Sequence, residues 1–244
     1  MAQQIEGDTN ESYYLCEGIW FDKNQNKLVD KRDNNKELDI TKIDDKILIF
    51  EREVDEWIFH PIKIMFEDDQ KNRDTGKPQD EENDKNNYKP FKNAIFILIG
   101  CFAFIEKIER YKTGNPKQQK IQDSTDMLMN GLKKIFSNLQ NLKDLELKNI
   151  LSSTRHALMH SLNLGDCVLV NYNYNNAINP IISQQILNKL EINPTKMLEM
   201  ILNDYNVYVV EIKKNNQPDT DNFKKVFDVI YKDEIAQLTQ GAKI

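Results

Sequence analysis

The residues with the most chemical potential gather in Ser153–Ser161, STRHALMHS, which holds Arg155, His156 and His160, two of the chain's three histidines among them. A metal site is the first chemistry to weigh. His156 and His160 are four residues apart, so on a helix they lie about 40° from one another and can share an ion. Helical zinc hydrolases place a glutamate directly after the first histidine as base, but Ala157 stands there and no third ligand is recognisable nearby. Nucleophilic hydrolysis has no G-x-S-x-G elbow to work from. Neither G-x-x-x-x-G-K-[ST] nor G-x-G-x-x-G occurs, and eight glycines leave little material for such loops. Nucleoside triphosphate and dinucleotide chemistry are therefore disfavoured, and no cofactor and no metal is expected.

Phosphate chemistry fits the residue types better. Arg155 supplies a permanently charged fork and His160 an imidazole that titrates near neutrality, the pair needed to hold a phosphate and move its proton. Five residues apart, they diverge by about 140° on an ideal helix. Both reach one phosphate only through side-chain length, a local helix end or a second subunit, and that geometry hints at a dimer. The same three residues also fit the wet side of a packed helix whose apolar side is Ile150, Leu151, Leu158 and Leu162.

The elements that must position this cluster are mostly helical. Its own helix runs over Lys143 to Leu162 and stops at Leu164-Gly165. A helix from about Pro90 to Lys112, apolar round nearly its whole circumference up to Ile105, reads as central and buried; TGNP at Thr113–Pro116 stops it. Its Glu106 and Glu109 are candidates for an ion pair with Arg155. Lys117 to Leu142 carries one apolar stripe. Upstream, Ile47, Phe50, Val54, Trp57, Ile58 and Met65 fit one helical face, with Pro61 set to kink or divide that helix. His60 reads as a hydrogen-bonded packing residue, and Trp20 and Trp57 as core or interface residues. Residues 68–88 contain almost nothing large and apolar, which predicts a mobile loop. Residues 1–42 form an N-terminal arm with one or two short strands, CVLVNYNY at Cys167–Tyr174 is another short strand, and helices follow from Asn193 to about Lys213 and from Asn222 to Leu238. The fold class is mainly α, a helical bundle with a small β element, with 43–244 as its helical domain.

Charge is distributed unevenly along the chain. Residues 1–88 carry 13 basic and 23 acidic side chains, whereas 89–165 carry 12 and 6, so the segment containing STRHALMHS is net +6 in a chain of net charge -6. A local anionic partner remains compatible with the acidic whole. The three cysteines fit neither a disulfide framework nor a four-ligand zinc site. The start has no basic, then apolar, secretory pattern, and the most apolar run, Ala94–Ile105, is short of the roughly 18–20 residues that span a bilayer. No membrane association is expected, and a reducing cytoplasmic location is.

Arg155-x-x-x-x-His160, with polar His156 after the arginine, resembles the R-x(4-6)-H motif of the HEPN (higher eukaryotes and prokaryotes nucleotide-binding) superfamily. FEREVDEWIFHPIKIMFE at Phe50–Glu67 is similar to the first helix of its bacterial members, IERYKTG at Ile108–Gly114 to the end of their second, and INPTKMLEMI at Ile192–Ile201 to the helix after the motif. The likeness covers roughly residues 45–213. It implies a helical bundle that forms a homodimer with the two motifs facing each other in a composite site. It also implies metal-independent endoribonuclease activity on RNA. In that reading Arg155 stabilises charge on the scissile phosphate, His160 is general base or acid, and His156 orients the pair or binds phosphate. Such domains often act as toxins or in phage defence, which would bring an antitoxin or regulatory protein as a further partner. A HEPN-like module that binds a nucleotide or protein partner without catalysis is the alternative.

Overall fold

The computed structural model describes residues 12–22, 24–75, 93–116, 121–161 and 164–240. The strands are β1 (Ser12–Cys16), β2 (Ile19–Asp22), β3 (Lys27–Asp30), β4 (Lys36–Leu38), β5 (Val168–Val170), β6 (Ile178–Ser183) and β7 (Ile186–Ile192). The helices are α1 (Ile43–Val54), α2 (His60–Thr75), α3 (Ala94–Thr113), α4 (Ile121–Ile135), α5 (Asp144–Ser161), α6 (Pro194–Lys213) and α7 (Asp219–Gln240). The fold is mainly α with two small sheets. Among the described residues no helix is long and apolar enough to cross a membrane.

Two compact units are formed, one by the described parts of Met1–Pro61, Arg110–Pro116 and Tyr208–Ile244, the other by those of Ile62–Glu109 and Lys117–Val207. In the first, β1–β4 make an antiparallel meander in chain order. The register puts Phe21, Leu28 and Leu38 on one face, where all three are buried, and Tyr14, Trp20, Val29 and Glu37 on the other. This alternation follows from the two-residue period of a strand. Tight turns are supplied by Gly18 at φ 75 and by Asn26, Asn34 and Asn35, whose positive φ suits asparagine better than most residues. Asp30, 1% exposed, is held by both terminal nitrogens of Arg52 at 2.7 Å. Removing one partner of such a buried pair typically costs about 3–5 kcal/mol. Beneath the sheet, Phe50 lies 4.6 Å from Tyr111 and 5.4 Å from Phe223, and Tyr231 stacks on Phe227 at 4.0 Å. The aromatic core thus gathers α1, the end of α3 and α7.

The second unit holds α3 up to Glu109, α4 and α5 and the sheet β5-β7-β6, in which β7 pairs parallel with β5 and antiparallel with β6. Leu187, Leu190 and Ile192 of β7 are buried. At the sheet's exit, Asn193 caps α6: its Oδ1 accepts from the amides of Thr195 and Lys196.

Several expectations change. The N-terminal segment makes four strands, one sheet rather than one or two strands, because tight turns at Gly18, at Asn26 and at Asn34-Asn35 reverse the chain three times. Pro61 does not divide the helix; five residues of π-helix, Asp55–Phe59, precede it and α2 continues to Thr75. The wider turn rotates the following residues, so Phe59 and Ile62 are buried while Trp57 is 43% exposed. Residues 68–75, expected to begin a mobile loop, are therefore helical; 76–88, and Pro90 with them, lie outside the described residues. α4 ends at Ile135, where Phe136 turns extended at φ -114 and a 3-10 turn follows over Ser137–Leu139. β6 and β7 carry no strand pattern that the sequence makes plain.

Candidate active site

α5 carries the Arg-His cluster, and its burial pattern explains how it is held. Leu147, Ile150, Leu151, Thr154 and Leu158 are buried, which is the i, i+3, i+4, i+7 and i+11 spacing of a helix face. Thr154 is tolerated in that face because its hydroxyl donates to the Ile150 carbonyl at 2.8 Å. Thr154 does not stand out by residue type, although its place seven residues after Leu147 and four before Leu158 signals burial. The helix start is tied to the sheet, since the Glu146 carboxylate accepts the Leu187 amide at 3.0 Å. That backbone bond, ahead of the Lys143 ammonium, holds the Glu146 carboxyl below the usual glutamate range. Lys148 pairs with Asp126 of α4.

α3 comes close to α4 at Gly131. A Cβ there would stand 2.5 Å from the Ile105 side chain, so only glycine permits this approach. The next turn of α3 carries two glutamates, and the structure separates their roles. Glu109, 2% exposed, pairs with Lys134 of α4. Glu106 pairs with Arg155, Nη2 to Oε2, at 3.2 Å. The ion pair expected from α3 to Arg155 is therefore made by Glu106 and not by Glu109.

Arg155 is half-buried, and its Nη1 is buried without a hydrogen-bond partner among the described residues. One arm of the guanidinium is thus fixed by a carboxylate while the other retains donors. A buried unsatisfied donor costs about 1–3 kcal/mol, more when charged. His156, the next residue, is exposed, as are Ser152 and Ser153. His160 sits in the last turn of α5, which ends at Ser161, about 7.5 Å further along the axis than Arg155; its side chain lies outside the described residues. Gly165, at φ 63, folds back so that a Cβ would touch Ala157 at 3.4 Å, and the chain turns immediately beside the motif.

Among the described residues no group of three or more His, Cys, Asp or Glu side chains could hold a metal ion. His60, expected to be packed and hydrogen-bonded, is exposed at the start of α2, because the π turn brings Phe59 to the buried side instead. A separate cavity of about 490 Å³ lies along β2–β4, lined by Phe21, Lys27, Leu28 and Glu37, and contains no histidine. What the α5 arrangement can do follows from its parts: a carboxylate-oriented guanidinium with spare donors, on a helix whose last turn carries an imidazole. No family model, no curated protein and no solved structure matches the chain.

Proposed function

We propose that the chain is a HEPN-like endoribonuclease that cleaves RNA without a metal, acting as a homodimer with Arg155 and His160 as catalytic residues and His156 beside them. The observation that carries the reading is Arg155 itself: half-buried, paired with Glu106 at 3.2 Å, and followed by exposed His156 on the helix whose last turn carries His160. In the reaction the RNA 2′-oxygen attacks the adjacent phosphorus and the bond to the 5′-oxygen breaks, leaving a 2′,3′-cyclic phosphate and a 5′-hydroxyl. His160 takes the proton of the 2′-hydroxyl or returns one to the leaving oxygen. Two copies facing each other supply one imidazole for each task. Arg155 offsets the charge that builds on the non-bridging oxygens. The nucleophile belongs to the substrate, so no serine or cysteine elbow is needed. Cytoplasmic action as a toxin or phage-defence effector, restrained by a regulatory protein, belongs to the same proposal.

The pairing of Arg155 with Glu106 favours one second reading, because a guanidinium already neutralised is also suited to reversible binding. In that reading the same residues belong to a non-catalytic module for a nucleotide or protein partner. The two separate in one assay, cleavage of labelled RNA in EDTA by the chain and by its Arg155→Ala and His160→Ala variants. The nuclease gives cyclic-phosphate ends that fall about 10²-fold or more in each variant while the dimer persists. Absence of cleavage by verified dimer across several RNA classes moves the reading to the binding module.

A further inference from the structure

Far along the chain from STRHALMHS, the chain's two tryptophans lie in one cluster. Tyr14 of β1 and Trp20 of β2 are cross-strand partners on the outer face of the meander, edge to face at 5.1 Å. Tyr14 also meets Trp57 edge to face at 6.4 Å. Trp57 and Glu56 belong to the π-helical turn, the local widening that turns them away from the buried side and against the sheet. Glu56 accepts a short hydrogen bond from the Tyr14 hydroxyl through Oε1, and its Oε2 has no hydrogen-bond partner among the described residues. The result is an aromatic wall with a carboxylate behind it.

The chain's own residues show what such a wall accepts. The Lys31 ammonium stands 3.8 Å above the centroid of the Trp20 ring, a cation–π contact of the kind used to recognise alkylammonium groups. Trp57, by contrast, is 43% exposed and offers a large aromatic surface to the outside. Local charge points the same way, since residues 12–61 carry 12 acidic and 8 basic side chains. An aromatic face in an acidic setting favours a cation over a nucleic-acid base with its phosphates.

We infer that Tyr14, Trp20, Trp57 and Glu56 form a binding site for an alkylammonium group, with Lys31 as its internal competitor. The rings supply negative π faces and Glu56 a formal charge, and an N-methylated ammonium suits them because it is weakly hydrated and gives up little on leaving water. Two sources share this chemistry, a free quaternary amine and a methylated lysine of a protein partner.

Both tryptophans are in the site, so the chain's entire tryptophan emission reads its occupancy. Full-length protein would be titrated with tetramethylammonium, with acetyl-trimethyllysine amide alone and within a basic ten-residue peptide, with the neutral tert-butyl isostere of that side chain, and with a single-stranded RNA oligomer. The expected result is a saturable emission change with the cations, at least tenfold weaker with the neutral isostere. Lys31→Ala, at an exposed side chain, tightens binding several-fold, and Trp57→Ala abolishes it. Tighter binding within the peptide than with the free cation identifies a protein partner as the source; equal binding identifies a small amine. An equal response to the neutral isostere, saturation by RNA alone, or no saturable response even in Lys31→Ala overturns the inference.

Discussion

Between Glu106 and Arg155 the 3.2 Å contact does two opposed things. It orients the guanidinium, which would favour catalysis in the proposed reaction, and it brings a carboxylate near any phosphate that binds there, which weakens binding by Coulomb repulsion. Glu106→Gln keeps the shape and removes the charge, so if the chain is the ribonuclease proposed above, RNA binds more tightly while turnover falls: KM decreases and kcat decreases with it, each by several-fold. Steady-state cleavage of a short labelled RNA reads both constants, and unchanged values show that Glu106 serves only the fold. A second carboxylate is legible in its titration. Glu191 of β7 accepts from the side-chain amides of Asn171 at 2.7 Å and Asn179 at 3.0 Å, and these bonds, Asn171's first, hold its pKa below the usual glutamate range. A carboxylate depressed on folding adds stability above its unfolded pKa and loses it as pH falls through its folded one. Asn171→Ala therefore raises the Glu191 titration midpoint, seen by carboxyl carbon NMR, and acid unfolding begins at higher pH.

At the scale of elements, the β6–β7 hairpin turns through Gln184 and Gln185, at φ 51 and 62. Two-residue hairpin loops with both φ positive are the form preferred by Asn-Gly, since glutamine bears the cost of a Cβ in the left-handed region. Replacing the pair with Asn-Gly stabilises the protein by about 1 kcal/mol, about 2–4 °C in Tm for a chain of this length. Thermal unfolding followed by circular dichroism checks it, and an unchanged Tm means the two glutamines carry no such cost in this turn. The π turn has an equally specific consequence: a single local widening decides which of Trp57 and Phe59 enters the core.

For the whole molecule, the net charge of -6 conceals a basic segment of residues 89–165 that contains the motif helix. If the substrate is RNA, as proposed, it meets that segment locally, and its affinity falls with added salt in proportion to the few phosphates it contacts. If the active species is the homodimer with a composite site, cleavage per chain is constant at high concentration and falls on dilution through the dimer dissociation constant. Activity measured over a dilution series beside sedimentation of the same samples tests this. Specific activity that stays constant while the protein becomes monomeric assigns the whole site to one chain.

What the sequence determined by itself are the features written in local periodicity and punctuation. The apolar circumference of Ala94–Ile105, the stop at Gly114 and the buried face of α5 each reflect near neighbours on one helix, and α3 and α5 lie where those patterns place them. Even the Glu106–Arg155 pair is foreseeable, since an arginine on one helix and a carboxylate on a central one are complementary by charge alone. Other features depend on residues far apart in sequence. The choice of Glu106 over Glu109 rests on Lys134 claiming Glu109 and on Gly131 setting how close α3 and α4 come. The sheet of 12–38 rests on Arg52 satisfying buried Asp30, and β6 and β7 are hidden because glutamines occupy a turn that sequence patterns assign to glycine and asparagine. Trp57 shows the limit most clearly: helical spacing sets it on the apolar face with Phe50 and Val54, as a core or interface residue, and one π turn leaves it 43% exposed.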